Sequence, residues 1–309
     1  MTEAGTDAIS LRRLPTEGRN PHTMDLDVMT PLEIARAMND EDAHAVAAVR
    51  AVLPQVAEAI DYARTTLEHG GRIVYVGAGT SGRLGVLDAA ECPPTFGATD
   101  DQVIGILAGG RQAMFSAVED AEDSLTLCEE DLRSIGLTSR DLVVGLAASG
   151  RTPYVVGGLR YASSIGCTTV AIACVADPVI GREATVAIEP VTGPEVLSGS
   201  TRLKAGTAEK MILNMISTGA MVGIGKAYQN LMVDVRPSNE KLRARAVAIV
   251  RDVCACTNAQ ASQALAEASG EAKVAIVMLA LDVSADEAAR TLKAASGRVR
   301  DALGTLREV

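Results

Sequence analysis

Short apolar runs rich in β-branched residues alternate with longer stretches whose apolar residues recur at helical spacing. The runs Arg72–Val76, Gln102–Leu107, Leu142–Ala147, Thr168–Ala173 and Thr185–Ile188 predict buried strands. Between and after them, Ser81–Ala90, Gln112–Ile135, Pro153–Ile165 and Lys204–Ala227 predict helices. Such alternation predicts an α/β fold, a parallel sheet with helices on both faces. Ahead of it, Thr30-Pro31-Leu32-Glu33 supplies a capping residue, a proline at the first helical position and a glutamate three residues on. That predicts a first helix within Asp27–Asn39, and Asp42–His69 predicts a second that stops at Gly70-Gly71. Past Asn239 the strand signal fades. Glu240–Thr257, Asn258–Ser269, Ala272–Leu281 and Ser284–Ala295 predict short helices, with Thr257 and Ser284 as capping starts. Residues 1–21 are polar and predict a loosely ordered opening. The expected organisation is an N-terminal helical segment (1–58), a sheet domain (59–222) and a small C-terminal helical region (223–309).

Two loops carry the chemistry. Ile73-Val-Tyr-Val76 ends at Gly77-Ala-Gly79-Thr80-Ser81-Gly82, which opens a helix. Helix N-termini hold unpaired N–H groups and partial positive charge, so such a loop binds anions, above all phosphate. The grammar returns at Leu142-Val-Val-Gly-Leu-Ala-Ala148, followed by Ser149-Gly150-Arg151-Thr152-Pro153. Gly79, Thr80, Ser81, Ser149, Gly150 and Thr152 are therefore the expected phosphate contacts, with Arg151 beside them. Gly77-x-Gly79-x-x-Gly82 also fits a dinucleotide fingerprint. That reading requires an acid at the end of the second strand, where this chain has Ile106-Leu107-Ala108-Gly109-Gly110. Nor is the loop a Walker-type P-loop, since Arg83-Leu84 follows Gly82. A plain helix cap is the alternative at both loops.

Composition narrows the ligand. The 309-residue chain has a net charge of −10, no Trp and two Phe, which disfavours nucleic acid. Affinity for an anion must then come from local donors. The six cysteines show no CxxC, and Cys254-Ala-Cys256 is too tight and isolated for a zinc site. The three histidines, His22, His44 and His69, lie outside the motifs. No metal, cofactor or membrane partner is expected. No signal peptide or membrane-spanning run is visible, so the expected compartment is the cytoplasm.

Carboxylates form the second group of candidates. Glu91, in Asp88-Ala-Ala-Glu91-Cys92-Pro93-Pro94, stands at the expected end of a helix, where the dipole disfavours an acid. The two prolines are expected to end that helix. Glu119 and Glu122 share one face of an acidic helix, and enclosure would raise a pKa there. Glu195, Ser200 and Lys204, before and at the start of a long helix, form a candidate third wall of the anion site, or a cap.

With these motifs in view, the chain resembles the N-acetylmuramic acid 6-phosphate etherases. The resemblance rests on Gly77–Gly85, Asp88–Thr95, Ala148–Pro153, Gly193-Pro-Glu-Val196, Lys204-Ala-Gly-Thr207, Asn230–Asp234 and Asn239-Glu-Lys241. It runs from Glu17-Gly-Arg-Asn20 to the C-terminal helices; Ala90 stands where some relatives carry Ser. The family is built on the sugar isomerase (SIS) domain and is related to the glucokinase regulatory proteins. The resemblance implies cleavage of the D-lactyl ether of N-acetylmuramate 6-phosphate in cell-wall sugar recycling. It places the acid–base glutamates on Glu91 and Glu122 and implies a homodimer.

A straight helix from Ser81 to Glu91 would span about 15 Å, at ~1.5 Å per residue, too far for one hexose phosphate to bridge comfortably. Either the chain turns back near Pro93-Pro94, or Glu91 serves a site on a second subunit. The competing functions are a non-catalytic sugar-phosphate sensor and a sugar-phosphate isomerase. Only the etherase releases lactate.

Overall fold

A computed structural model describes residues 15–116, 118–235 and 239–304. Each apolar run forms a strand: β1 (Ile73–Gly77), β2 (Val103–Leu107), β3 (Leu142–Leu146), β4 (Thr168–Ile172) and β5 (Val186–Ile188). All pair in parallel in the order β2-β1-β3-β4-β5, in register from Ile73 opposite both Val103 and Leu142. Every residue of β1 and β3 is buried, as a sheet covered on both sides requires.

Alternation sorts the side chains. Ile73 and Tyr75 face a core built with α1 (Pro31–Ala51), α2 (Leu53–Glu68), α3 (Gly79–Phe96) and α7 (Lys204–Gly223). Val74 and Val76 face a second core built with α4 (Glu119–Glu122), α5 (Leu127–Ser134) and α6 (Pro153–Ser164). A third core lies within α8 (Glu240–Cys254), α9 (Asn258–Glu267), α10 (Ala272–Leu281), α11 (Ala285–Ala294) and α12 (Val299–Gly304). Thr257 and Ser284 cap α9 and α11 as expected.

Four expectations need correction. The first helix runs through Asp40 and Glu41 and breaks at Val52, because Glu41 is buried and paired inside the protein while Pro54 opens α2. Pro93 and Pro94 do not end α3. The donors they lack would have bonded carbonyls 89 and 90, of which Ala90 is exposed to water, and Gly97 closes the helix at φ 61° with its N–H on the Pro93 carbonyl (3.0 Å). The stretch Gln112–Ile135 is not one helix. A 3₁₀ turn (Gly110–Met114), α4 and α5 divide it, and Ser124 Oγ accepts the Leu127 N–H where α5 begins. A further helix, α12, follows the four expected at the C-terminus. Of the loosely ordered opening expected over 1–21, residues 1–14 lie outside the described residues, and Pro15–Glu17 forms a 3₁₀ turn.

What positions the site is the seat of α3. A Cβ on Gly105 would stand 2.5 Å from the Val86 Cα, and one on Gly85 would stand 2.9 Å from the Tyr75 Cβ. The helix therefore lies closer to β1 and β2 than any side chain would permit. The buried Asp88 carboxylate then fastens it: Tyr75 Oη (2.9 Å), Asn214 Nδ2 (2.6 Å) and Ser217 Oγ (3.1 Å) all donate to it, joining α3 to β1 and α7. Gly105→Ala is expected to lower stability by about 1–3 kcal/mol, since helix backbone cannot yield as a side chain would. Chemical denaturation measures this, and an unshifted midpoint contradicts the close seat.

Candidate active site

The strand order places the two hydroxyl loops side by side. From β1 the chain steps outward to β2, and from β3 it proceeds to the opposite edge. The crevice at the carboxyl ends of β1 and β3 is thus the topological switch point, where open α/β sheets bind ligands. Gly77–Ser81 leaves β1 and Ala147–Thr152 leaves β3 at that crevice.

The first loop turns directly into α3. Its N-cap is Ala78, which has no capping side chain, and Gly79 takes φ 53°, which favours glycine. Thr80 and Ser81 lie inside the first turn rather than capping it, so the plain cap does not describe this loop. Gly79 is exposed, Thr80 half-buried and Ser81 buried.

At the second loop, Gly150 holds φ 73°, and an added Cβ would collide with Pro178. Thr152 is the N-cap of α6, yet its hydroxyl makes no capping bond. It donates instead to Glu122 Oε1 at 3.3 Å. The structure thereby brings one expected acid–base glutamate against one of the two hydroxyl loops. Ser149 and Arg151 are half-buried beside it. Glu122 is exposed in the single chain, and the Glu119 side chain lies outside the described residues, as does Ala117.

Glu91 is not brought to these loops by its own chain. It is exposed on α3, ten residues beyond Ser81. The helix continues past it to Phe96, so the chain does not double back.

The start of α7 lies beside the first loop: a Cβ on Gly206 would meet Thr80 Cγ2 at 3.6 Å. Its chemistry differs from the expected third wall. The buried Glu195 carboxylate accepts the N–H groups of Lys204 (3.1 Å) and Ala205 (3.0 Å) and fills the helix N-terminus from within. Burial raises its pKa, and those two N–H bonds offset part of the rise. The buried Lys204 ammonium is ion-paired with Glu41 of α1. Burial alone would raise the Glu41 pKa, but hydrogen bonds from Lys204, Asn20 and His22 outweigh it and hold the carboxyl at about 2. The observed partners of both Lys204 and Glu195 are thus within the protein, while Ser200 stays half-buried.

One group at the site escaped the sequence reading. Glu209 of α7 is fully buried, with both carboxyl oxygens on the Ser81 hydroxyl, at 2.8 and 2.9 Å. Its trace in the sequence is an acid within the apolar stripe Ala205, Ala208, Ile212 and Ile216. Among the described residues, no group of three or more His, Cys, Asp or Glu is placed to hold a metal ion.

Comparison with known proteins gives the chain its family. Residues 55–163 match the glucokinase regulatory protein N-terminal SIS domain, and residues 229–273 match the C-terminal lid domain of glucokinase regulatory protein. The sheet and its helices are therefore an SIS domain. A phosphoheptose isomerase structure from Francisella tularensis is similar over 63% of this chain and 100% of that one, with 16% identity and a TM-score of 0.49. A Brucella anthropi protein named N-acetylmuramic acid 6-phosphate etherase is 55% identical over 95% of this chain and 95% of its own length. One of the same name from Mycolicibacterium smegmatis is 56% identical over 96% of this chain and 99% of its own length. With relatives this similar over nearly its whole length, the chain belongs to the N-acetylmuramic acid 6-phosphate etherase family.

Proposed function

We propose that this chain performs the reaction its relatives are named for, with the phosphate held by the two hydroxyl loops and with Glu91 and Glu122 as the acid–base pair. It is a carbon–oxygen lyase that cleaves the D-lactyl ether of N-acetylmuramate 6-phosphate, yielding N-acetylglucosamine 6-phosphate and D-lactate. The observation that carries the site assignment is the Glu122 carboxylate on Thr152, at the crevice where both loops open.

The functional groups dictate the route. In the open-chain sugar the C1 aldehyde acidifies the C2 proton. One carboxylate removes that proton, and the C3–O bond breaks as the second carboxyl protonates the departing lactate oxygen. The product is a C2–C3 double bond conjugated with the aldehyde. Water then adds its oxygen to C3, and a proton returns to C2. Each proton transfer is worth ~10²–10⁴-fold. Phosphate bound away from C2 contributes positioning energy to both steps.

Glu91 sets the architecture. From Ser81 it lies about 15 Å along a continuous helix, at ~1.5 Å per residue. That distance supports a homodimer in which Glu91 of one copy completes the crevice of the other. The six free cysteines fit a reducing compartment, which supports the cytoplasm. Among the described residues no helix is long and apolar enough to cross a membrane.

Three measurements test this reading. Incubation with N-acetylmuramate 6-phosphate is expected to release D-lactate; in H₂¹⁸O the label enters C3 of the sugar, and in D₂O deuterium enters C2. Label in lactate with none at C3 rules out the elimination route. Ser81→Ala and Ser149→Ala are each expected to weaken sugar-phosphate binding by roughly 1.5–3 kcal/mol, about ten- to hundredfold. Unchanged binding in both variants refutes the phosphate loops. Glu91→Gln is expected to abolish turnover. Mixing those chains with inactive Ser81→Ala/Ser149→Ala chains under subunit exchange is expected to restore activity. No recovery after confirmed exchange places Glu91 with its own chain's loops.

A further inference from the structure

The acid behind Ser81 has no role in the elimination chemistry. Glu209 is completely buried, and its hydrogen-bond partner is the Ser81 hydroxyl. Among the described residues no cation is paired with it. From α3 it meets Ser81, and from the end of β4 it faces the buried Cys174 thiol. At the start of α7, Lys204 is already paired with Glu41 of α1, and Glu195 is engaged by the N–H groups of Lys204 and Ala205. Among the described residues α2 presents no charged partner to it. A carboxylate so enclosed is costly unless paired, and neutralising it by a proton relieves that cost.

Protonation decides what Ser81 can do. A serine hydroxyl has one proton to donate and two lone pairs that accept. If Glu209 is ionised, the Ser81 proton is drawn inward to it and a lone pair faces the phosphate. If Glu209 is neutral, its own O–H donates to Ser81 Oγ, and the Ser81 proton is free to point outward.

Building on the phosphate-loop reading, we propose that Glu209 is a positioning residue that acts as a neutral acid, donating to Ser81 Oγ so that the Ser81 hydroxyl donates to the substrate phosphate. Phosphate binding and protonation of Glu209 are then coupled, each strengthening the other. Burial, opposed only by the Ser81 hydrogen bond, lifts the Glu209 pKa to about 8, so the switch falls just above neutral pH. Below that pH the site is ready for phosphate. Above it, the affinity drops toward about tenfold for each further pH unit.

The test is calorimetry of N-acetylglucosamine 6-phosphate binding to the full chain, about one pH unit below and one above that pKa, in buffers of different ionisation heat. Little proton uptake is expected at the lower pH, and uptake approaching one proton per site at the higher. With Glu209→Gln, whose amide is a permanent donor, the uptake is expected to vanish and the Kd to become the same at both pH values. Binding by the native chain without proton uptake at the higher pH overturns the proposal, as does uptake that persists in Glu209→Gln. Failure of the sugar phosphate to bind at the lower pH instead overturns the phosphate-loop reading on which the proposal stands.

Discussion

The structure depends on how closely α3 lies against the first two strands. Glycine at 105 and 85 lets helix backbone touch sheet where side chains would otherwise hold them apart. That contact aims the first turn of α3 at the switch point, with its amides uncovered by any capping side chain. The Asp88 carboxylate fixes the azimuth of the helix by collecting donors from β1 and α7. Any looser seat would displace the loop hydroxyls relative to the neighbouring loop, and positioning errors near 1 Å are costly to catalysis.

An acidic protein that binds an anion must work locally. The net charge of −10 gives no general attraction for a phosphate. In the proposed site the two loops would meet this with uncapped helix starts and hydroxyls, which are short-range donors. The third nearby helix start is different, because the protein's own Glu195 occupies it. Two helix starts without a capping side chain beside one closed by Glu195 are what favour the crevice between β1 and β3 as the proposed anion site.

Legibility followed the reach of each interaction. The five strands stand within a residue or two of where apolar periodicity places them, because burial of a strand on both faces is written in consecutive residues. The two loops were equally visible, since glycine and hydroxyl spacing is a local matter. The uninterrupted α3 was not, because its termination is decided by Gly97 rather than by Pro93 and Pro94. Lys204 and Glu195 read as a wall of the anion site or a cap near a helix start, and their burial depends on α1 and on the loop before α7. Glu209 was hardest to see: its partner Ser81 is 128 residues away in the chain.

The buried pair between Lys204 and Glu41 has a consequence for how this chain can be cut and how it can drift. On sheet topology alone the first helix is peripheral, since every strand lies after it. Yet Glu41 is the counter-ion of an ammonium at the root of α7, the same helix that carries the acid behind Ser81. A lone charge left inside a protein costs about 3–5 kcal/mol when its partner is removed. Trimming the N-terminus back to the sheet would strand that ammonium beside the crevice. A neutral residue at 41 would call for a neutral residue at 204 as well, so a helix far from the strands is tied by one charge to the root of α7.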